Sequence, residues 1–536
     1  MAWDILTGMN PKTRPTSSSC NPSGVSDAGA ARAVGGGDLN AFGNYSARLG
    51  LEMEMVVAHA QTGASHPVDG YFDALSRIKQ GRGNACRAVL LSGRCVGLQT
   101  EAAECGLDNG FNLLETATAP LAGGPGGLAR LSALAHLELA DTLDALQAEG
   151  ACVLNASQHP DCRRDKDWYG RVCAPRPIYR ELLVHRGWHH WIGIDAKAQN
   201  GANTSVPVGC AAQSLNVTLG LAAAGIALFA NSPLESGEIT GFTENRLTLW
   251  PRVFKPARFA GDAFLAEYPA RPFRDLGDYF RWMFQPGTVS RSLPLHHGYD
   301  YKSAPTAILD GDPCLMDFLK APRWMGRRTD DGQAVTVVAH AMHFEHSQIA
   351  QFLDARWRYR LAVLPPLPEL LESWRHEGGL EDLFAACGVD GYIEGRAPGA
   401  GFADACLLRE AGSGAARSML IAPAALQLGL LSNVNESWQL VQDWGWEELG
   451  RLRLAAIRDG TADARVRALC VDVLAVAHAG LAAADTQHLA YADYVLQSGR
   501  SAADRMLDTW KSVSGRDDRL ARLLPQHAAL HPDRLA

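Results

Sequence analysis

The sequence predicts an α+β fold in which a mainly antiparallel sheet is flanked by helices and followed by a helical C-terminal region. Strand-like segments with alternating apolar and polar residues cluster between about residues 46 and 250. Helical patterns lie between these segments. After residue 420 the chain becomes rich in Ala and Leu, which favours further helices.

The individual elements follow from these patterns. The predicted strands are Leu49–Ala58, Ala88–Leu91, Val96–Gln99, Leu113–Thr118, Ala151–Ala156 and Ala212–Leu219. The predicted helices are Pro67–Lys79, Leu128–Glu149, Pro423–Leu431, Asn435–Gln442, Trp446–Arg458, Ala462–Ala484 and Tyr491–Val513. Strict strand–helix–strand alternation is missing, as are the GxxxxGK[ST] and GxGxxG motifs, which argues against P-loop and Rossmann folds.

Composition divides the chain into regions and excludes some functions. We expect a flexible tail over residues 1–40, a main domain over 41–450 with an insertion or lid at 290–365, and a helical region over 451–536. A net charge of −8 argues against a nucleic-acid partner, and no segment is long and apolar enough for a membrane span. Twelve cysteines without CxxC pairs and the lack of a secretory signal predict a cytoplasmic protein.

The first predicted strand carries two carboxylates. Side chains alternate along a strand, so Glu52 and Glu54 share one face while Leu51, Met53 and Met55 share the other. Like charges on an apolar strand repel each other and lose hydration unless a cation lies between them. Such hard oxygen ligands suit Mg²⁺, which usually arrives with substrate phosphates. The alternative is an amphipathic strand with a solvated acidic face.

Polar residues recur in later segments. Asp108 precedes a turn-forming Asn-Gly and Glu115 lies on the strand after it, so both could reach one end of the same sheet. In Gln213–Thr218, strand alternation would place Ser214 and Asn216 on one face. In Gly391–Arg396, alternation would bring together Tyr392, Glu394 and Arg396.

These segments, in this order, resemble the glutamate–cysteine ligase family, in particular its plant-type and related bacterial branch. The matching features are G-x-E-x-E at Glu52, a second Glu-bearing strand that ends near Ala-Pro, a strand with Asn, ALFANSP at 227–233, an Arg before a Trp, and Y-x-E-x-R. ALFANSP is the most distinctive match. The resemblance runs from about residue 46 to residue 458, and 290–365 fits it poorly.

The resemblance implies a glutamine-synthetase-like fold, in which an antiparallel sheet curls into a funnel whose carboxylates hold Mg²⁺ and whose metals bridge ATP to the substrate. By motif, the implied metal ligands are Glu52, Glu54, Glu115, Glu394 and Asp108, which stands where the family has Glu. The implied nucleotide or substrate contacts are Ser214, Asn216, Arg246 and Arg396. A structural ion pair with Glu244 is the alternative for Arg246.

The chemistry implied is ATP- and Mg²⁺-dependent amide formation between a carboxylic acid and an amine through an acyl phosphate. The small-molecule substrates would be amino acids, most conservatively glutamate and cysteine. Departures from the family at Ser214, at Leu113–Thr116 and after Arg396 point to a changed substrate pocket. A divergent amino-acid or amine ligase, a guanidino-kinase-like phosphotransferase and a catalytically silent homologue are the alternatives. Oligomeric state is not predicted.

Two further motifs allow two interpretations each. His340, His343, Glu345 and His346 have the spacing of a metal cluster on a helix face, although a lid helix is the simpler interpretation. The run Trp188–Trp191 could stack on a nucleotide base or pack within a loop.

Overall fold

The computed structural model describes residues 47–297 and 305–535, so the predicted tail lies outside the described residues. Described strands are β1 Arg48–His59, β2 Arg87–Leu91, β3 Arg94–Gln99, β4 Ala103–Leu107, β5 Leu113–Thr118, β6 Leu121–Ala122, β7 Ala151–Leu154, β8 Asn200–Ser205, β9 Leu234–Glu235, β10 Glu238–Ile239, β11 Leu293–Pro294, β12 Thr306–Leu309, β13 Trp324–Arg328, β14 Ala334–Val337, β15 Ala355–Arg360 and β16 Asp390–Gly395.

Helices separate and follow these strands. They are α1 Tyr71–Gly81, α2 Gly127–Gln147, α3 Lys166–Val172, α4 Pro177–Arg180, α5 Ala211–Gly220, α6 Ala222–Leu228, α7 Leu249–Phe254, α8 Ala260–Phe264, α9 Leu276–Phe284, α10 Leu315–Lys320, α11 Ala341–His346, α12 Leu367–Ser373, α13 Gly379–Ala386, α14 Ala405–Ser418, α15 Ala422–Ser432, α16 Val434–Trp444, α17 Trp446–Asp459, α18 Ala464–Gly480, α19 Ala490–Ser498, α20 Ala502–Lys511 and α21 Arg516–His527.

A ten-stranded antiparallel sheet organises the molecule, which confirms the predicted α+β class with a mainly antiparallel sheet. Its order is β15-β16-β8-β1-β5-β4-β3-β2. The twelve-residue β1 lies in the middle and also pairs with β6 near its start and with β7 near its end. Because its Leu51, Met53 and Met55 are fully buried, β1 contributes one whole face to the core.

Helices cover the apolar face of this sheet. Gln427 on α15 lies against it, and its side-chain amide donates to the carbonyls of Ala202 (3.0 Å) and Ile393 (3.1 Å). Helices α6, α17 and α18 pack behind this layer, and apolar side chains from Leu49 to Leu535 join one continuous core. The helices predicted after residue 420 are present, except that Tyr491–Val513 is divided between α19 and α20. Gly499, with φ 68°, ends α19, and Ser501 caps α20.

The strands differ from the prediction at several places. Ala212–Leu219 is helix α5 rather than a strand: its polar and apolar residues alternate as in a strand, but the helix buries Ser214 and Asn216 as well as Leu215 and Val217. Strand β8 was not predicted, since its sequence Asn-Gly-Ala-Asn-Thr-Ser has no apolar alternation although all six residues are buried. Strand β15 lies inside the segment interpreted as an insertion and joins the main sheet next to β16.

The rest of residues 290–365, where described, forms a smaller unit. Strands β11 to β14 make a four-stranded antiparallel sheet accompanied by α10 and α11. Among the described residues no single helix is long and apolar enough to cross a membrane. Two bent helix pairs reach that length and composition together, namely Val208–Gly220 with Ala222–Leu228 and Ala405–Ser418 with Ala422–Ser432.

A buried lysine joins α1 to α2 on the apolar side of the sheet. The ammonium of Lys79, 1% exposed, lies 2.7 Å from Glu138 and 3.2 Å from Asp141. Lys79→Met leaves two buried carboxylates without this cation, so we expect a loss of about 3–5 kcal/mol of stability. Thermal unfolding followed by circular dichroism measures the effect. The exposed Lys255→Met is the control and should leave the midpoint nearly unchanged, and equal midpoints for the two variants would contradict the expectation.

Candidate active site

Antiparallel register gathers polar side chains on the face of the sheet opposite the helices. Residues directly opposite each other in paired strands share a face, and Glu54 on β1 lies opposite Glu115 on β5. Glu52 lies opposite Gly201 on β8, and Asn203 on β8 lies opposite Glu394 on β16. Carboxylates from three strands therefore share one side of the sheet.

A cavity of about 150 Å³ opens on this face. Its polar lining consists of Glu52, Glu54, Asp108, Asn109, Glu115, His190, Lys197, Arg291, Arg356, Arg358, Glu394 and Arg396. Its remaining lining consists of Ile178, Tyr179, Leu182, Trp188, Ile194, Trp250, Ile349 and Phe352. All five residues predicted as metal ligands, together with Arg396, therefore line one cavity.

One end of the cavity, which we call the acidic end, contains Glu52, Glu54, Asp108 and Glu115. The ammonium of Lys197 lies between two of these carboxylates, 3.3 Å from Glu54 and 3.0 Å from Asp108. Glu54 also accepts a hydrogen bond from the backbone N–H of Gln199 at 3.0 Å. Lys197 therefore bridges two of these carboxylates directly, while the charge of Arg396 acts on Glu54 and that of Arg358 acts on Glu52.

Burial shapes the protonation of the acidic end. It raises the pKa of Glu54 to about 8, with Lys197 opposing the rise and Asp108 and Glu115 adding to it. Burial also raises the pKa of Glu52, and the charges of Glu394 and Glu115 add to that rise. The amide of Asn203 donates to Glu52 at 3.2 Å. The pair on β1 is thus costly to ionise without a cation, as the sequence predicts.

The other end, which we call the basic end, is built around Glu394. Arg356 makes two hydrogen bonds of 2.8 Å to its carboxylate, Arg396 makes one of 2.7 Å and Arg358 one of 3.3 Å. Although burial alone would raise the pKa of Glu394, these arginines hold it well below its usual range. Glu394 therefore positions guanidinium groups, whereas the sequence had assigned it to a metal ion.

An apolar wall faces the sheet across the cavity. Trp188 is 1% exposed and packs edge-on against Phe254 and Phe352. Burial lowers the pKa of His190 to about 3, which keeps this imidazole neutral, and its ring accepts or donates a 3.0 Å hydrogen bond with Tyr169. Within the Trp188–Trp191 run, Trp188 thus packs against neighbouring aromatic rings, and Trp188 and His190 also line the cavity.

The sequence did not indicate several of the residues that line the cavity. Arg356 and Arg358 alternate along β15, a pattern that a search for strand periodicity would detect in Arg-Trp-Arg-Tyr-Arg. Lys197 precedes β8, and no local pattern marks it. Asn109, 3% exposed, was noticed only as part of a turn, yet its side-chain oxygen is buried and has no hydrogen-bond partner among the described residues.

The predicted roles of Ser214 and Asn216 need correction. Both lie on helix α5, not on a strand, and neither lines the cavity. The Asn216 side chain holds the backbone of Phe273, donating to its carbonyl at 2.7 Å and accepting from its N–H at 2.9 Å. A strand asparagine beside the carboxylates does exist, but it is Asn203 on β8.

Arg246 is also placed away from the main cavity. Its guanidinium pairs with Glu244 at 2.7 Å and donates to the carbonyl of Ala397 at 2.9 Å. It is 3% exposed and lines a second, smaller cavity of about 40 Å³ together with Arg396. This geometry corresponds to the structural ion pair that the sequence left as the alternative.

The histidine segment forms the short helix α11. His343 is fully buried, and its ring accepts from the backbone N–H of His340 at 3.0 Å and bonds the carbonyl of Pro294 at 3.1 Å. Within residues 47–297 and 305–535, no group of three or more His, Cys, Asp or Glu is arranged to hold a metal ion. The histidine metal cluster is therefore not supported.

The donor chemistry of the acidic end nevertheless fits Mg²⁺. Its groups are four carboxylates and the buried amide oxygen of Asn109, all hard oxygen donors. Burial, together with the charges of Asp108 and Glu115, raises the pKa of Glu54, so a bound cation would favour its ionised form. Guanidinium groups at the basic end suit phosphate or carboxylate oxygens.

The raised pKa of Glu54 has a consequence for stability. Between its unfolded value near 4.5 and its folded value of about 8, the folded protein binds more protons than the unfolded chain. The contribution of Glu54 to the free energy of unfolding is therefore complete below this pH window, and it is lost as the pH rises through the window. Urea unfolding in EDTA should show a smaller loss of stability between about pH 5.5 and about pH 8.5 for Glu54→Gln than for the wild type. Parallel losses in the two proteins would contradict this assignment.

A comparison with known proteins finds one family model that matches part of the chain. Residues 48–284 match the model of glutamate–cysteine ligase family 2. No curated protein sequence matches the chain. Among solved structures, a glutamate–cysteine ligase of Francisella tularensis in complex with AMP aligns over 89% of this chain and 87% of its own, with 11% identity and a TM-score of 0.45. The predicted resemblance is confirmed over residues 48–284, which carry the pattern of glutamate–cysteine ligase family 2.

Proposed function

We propose that this protein is an ATP- and Mg²⁺-dependent carboxylate–amine ligase that forms an amide through an acyl phosphate, most conservatively from glutamate and cysteine. The observation that carries the proposal is the division of one cavity into an acidic end and a basic end. The match of residues 48–284 to glutamate–cysteine ligase family 2 supports it, since that segment includes all four carboxylates of the acidic end.

Amide formation from a carboxylate needs activation, because a free carboxylate resists attack by an amine. ATP supplies the activation by phosphorylating the carboxylate, and the amine then displaces phosphate. This transfer brings two anions together, so it needs cations on both sides of the reacting group. No nucleophilic side chain is required, and burial raises the pKa of the thiols of Cys162 and Cys173.

Each part of the cavity has a task in this reaction. The carboxylates of Glu52, Glu54, Asp108 and Glu115 would hold Mg²⁺, which offsets phosphate charge when bound. Arg356, Arg358 and Arg396, fixed by Glu394, would bind phosphate or substrate carboxylate oxygens. The apolar wall at Trp188 and Phe352 would exclude water, which protects an acyl phosphate from hydrolysis.

The identities of the acid and the amine belong to the proposal. Glutamate and cysteine are the first candidates because of the family match. The Leu113–Thr116 sequence and the chain after Arg396 depart from the family pattern, which favours testing other amino acids and amines in parallel. We further propose small-molecule substrates only, without a nucleic-acid or membrane partner.

The reaction class can be tested directly. The protein is incubated with ATP, Mg²⁺ and pools of amino acids, while ADP, phosphate and new masses are measured. We expect ADP and phosphate to appear only with the acid and amine present, together with a condensed product. A stable phosphorylated product would instead identify a kinase of the guanidino type. Absence of turnover with every pool would favour a silent homologue.

Substitutions on β1 test the site. Glu52→Gln and Glu54→Gln keep the side-chain shape but remove the charge, so we expect turnover to fall roughly hundredfold or more while the circular dichroism spectrum is unchanged. Glu104→Gln is a matched control, because Glu104 lies on β4 of the same sheet outside the cavity lining. Retained activity in both variants would show that Glu52 and Glu54 are not part of the active site, whatever the substrate.

A further inference from the structure

Lys197 is a cavity residue whose ammonium lies between two carboxylates of the acidic end. Its side chain is buried, and its ammonium lies 3.3 Å from Glu54 and 3.0 Å from Asp108. The two carboxylates raise the pKa of Lys197 although burial alone would lower it. Lys197 is therefore a positive charge held between two oxygen ligands of the kind that a divalent ion would bridge.

The backbone fixes this position. Lys197 forms an isolated bridge with Gln158, and the N–H of the next residue, Ala198, donates to the carbonyl of Ser157 at 2.7 Å. Two residues along, the N–H of Gln199 donates to the same oxygen of Glu54 that contacts the lysine. The chain thus enters β8 anchored on both sides, so the placement of the ammonium is set by the fold rather than by a mobile surface side chain.

The cavity that contains the ammonium also contains an unpaired oxygen donor. Besides Glu54 and Asp108, the buried side-chain oxygen of Asn109 lines the same cavity and has no hydrogen-bond partner in the described part of the chain. An unpaired buried acceptor is costly, so this oxygen would gain from a ligand that enters the cavity. Two carboxylates in contact with Lys197 and one unpaired amide oxygen therefore line the same cavity.

A second buried lysine, Lys79, differs from Lys197 in that it does not line a cavity. Lys79 also lies between two carboxylates, Glu138 and Asp141, but it is sealed in the core and lines neither cavity described above. Lys197 lies at the wall of a cavity that a metal ion can enter. The first arrangement stabilises a helix pair, whereas the second controls the charge of a binding site.

We propose that Lys197 is a built-in cation that takes the place of one divalent ion at Glu54, Asp108 and Asn109. The acidic end of this chain then needs one divalent ion fewer than its four carboxylates would otherwise hold. The inference rests on the proposed function in assuming that the acidic end binds divalent ions. Replacing the lysine with a neutral side chain should open an additional divalent site.

The test counts bound ions with Mn²⁺, whose free fraction is measured by electron paramagnetic resonance in the absence of nucleotide. We expect Lys197→Met to bind one more Mn²⁺ ion per chain than the wild type. Lys197→Arg, which keeps a cation, should bind the wild-type number. The double variant Lys197→Met/Glu54→Gln should return to the wild-type number, because the new site loses a carboxylate.

Thermal unfolding provides a second measurement that stays informative if Lys197→Met is unstable without metal. Addition of Mn²⁺ should raise the unfolding midpoint of Lys197→Met by roughly 2 °C or more beyond the rise seen in the wild type. An unchanged ion count together with an equal rise in midpoint would overturn the role of Lys197 and leave the ligase proposal standing. Failure of wild type and variants alike to bind Mn²⁺ would overturn this inference and the metal part of the proposed function.

Discussion

Carboxylates buried on one face of the longest strand are the constraint on which the rest of the site depends. Strand β1 pairs with four other strands, and its opposite face is sealed in the core. A register shift of one residue would bury Glu52 and Glu54 among the apolar helices, so the pairing of the central sheet is strictly specified. The same specification forces two carboxylates into a cavity where their charge is costly.

The chain compensates this charge at two separate places. Lys197 lies at the acidic end, whereas three arginines surround Glu394 at the basic end. Glu394 pairs with these arginines and so fixes their guanidinium groups beside β15 and β16. One cavity can therefore present an anion-binding surface and a cation-binding surface side by side, which is what transfer of phosphate to a carboxylate requires.

Local periodicity decided which parts of this arrangement could be predicted. Alternation in β1, β5 and β16 is visible in the sequence, and the register of neighbouring strands then brings their polar residues together. Strand β8 could not be predicted, because small and polar residues fill it and the sheet buries them only in the tertiary structure. Lys197 was missed for the same reason, since its function depends on a contact with Glu54, 143 residues earlier.

The ALFANSP motif supports the cavity indirectly, through the segment that follows β16. Asn231 donates to the carbonyl of Ala400 at 2.8 Å, and its own N–H donates to Glu244 at 2.7 Å, which in turn holds Arg246. Arg246 donates to the backbone carbonyls just after Arg396. Buried polar networks tolerate few substitutions because each unpaired member is costly, which explains why this motif is distinctive without touching the cavity. The motif therefore fixes the segment after β16 through hydrogen bonds, and this fixed backbone holds Arg396 at the cavity.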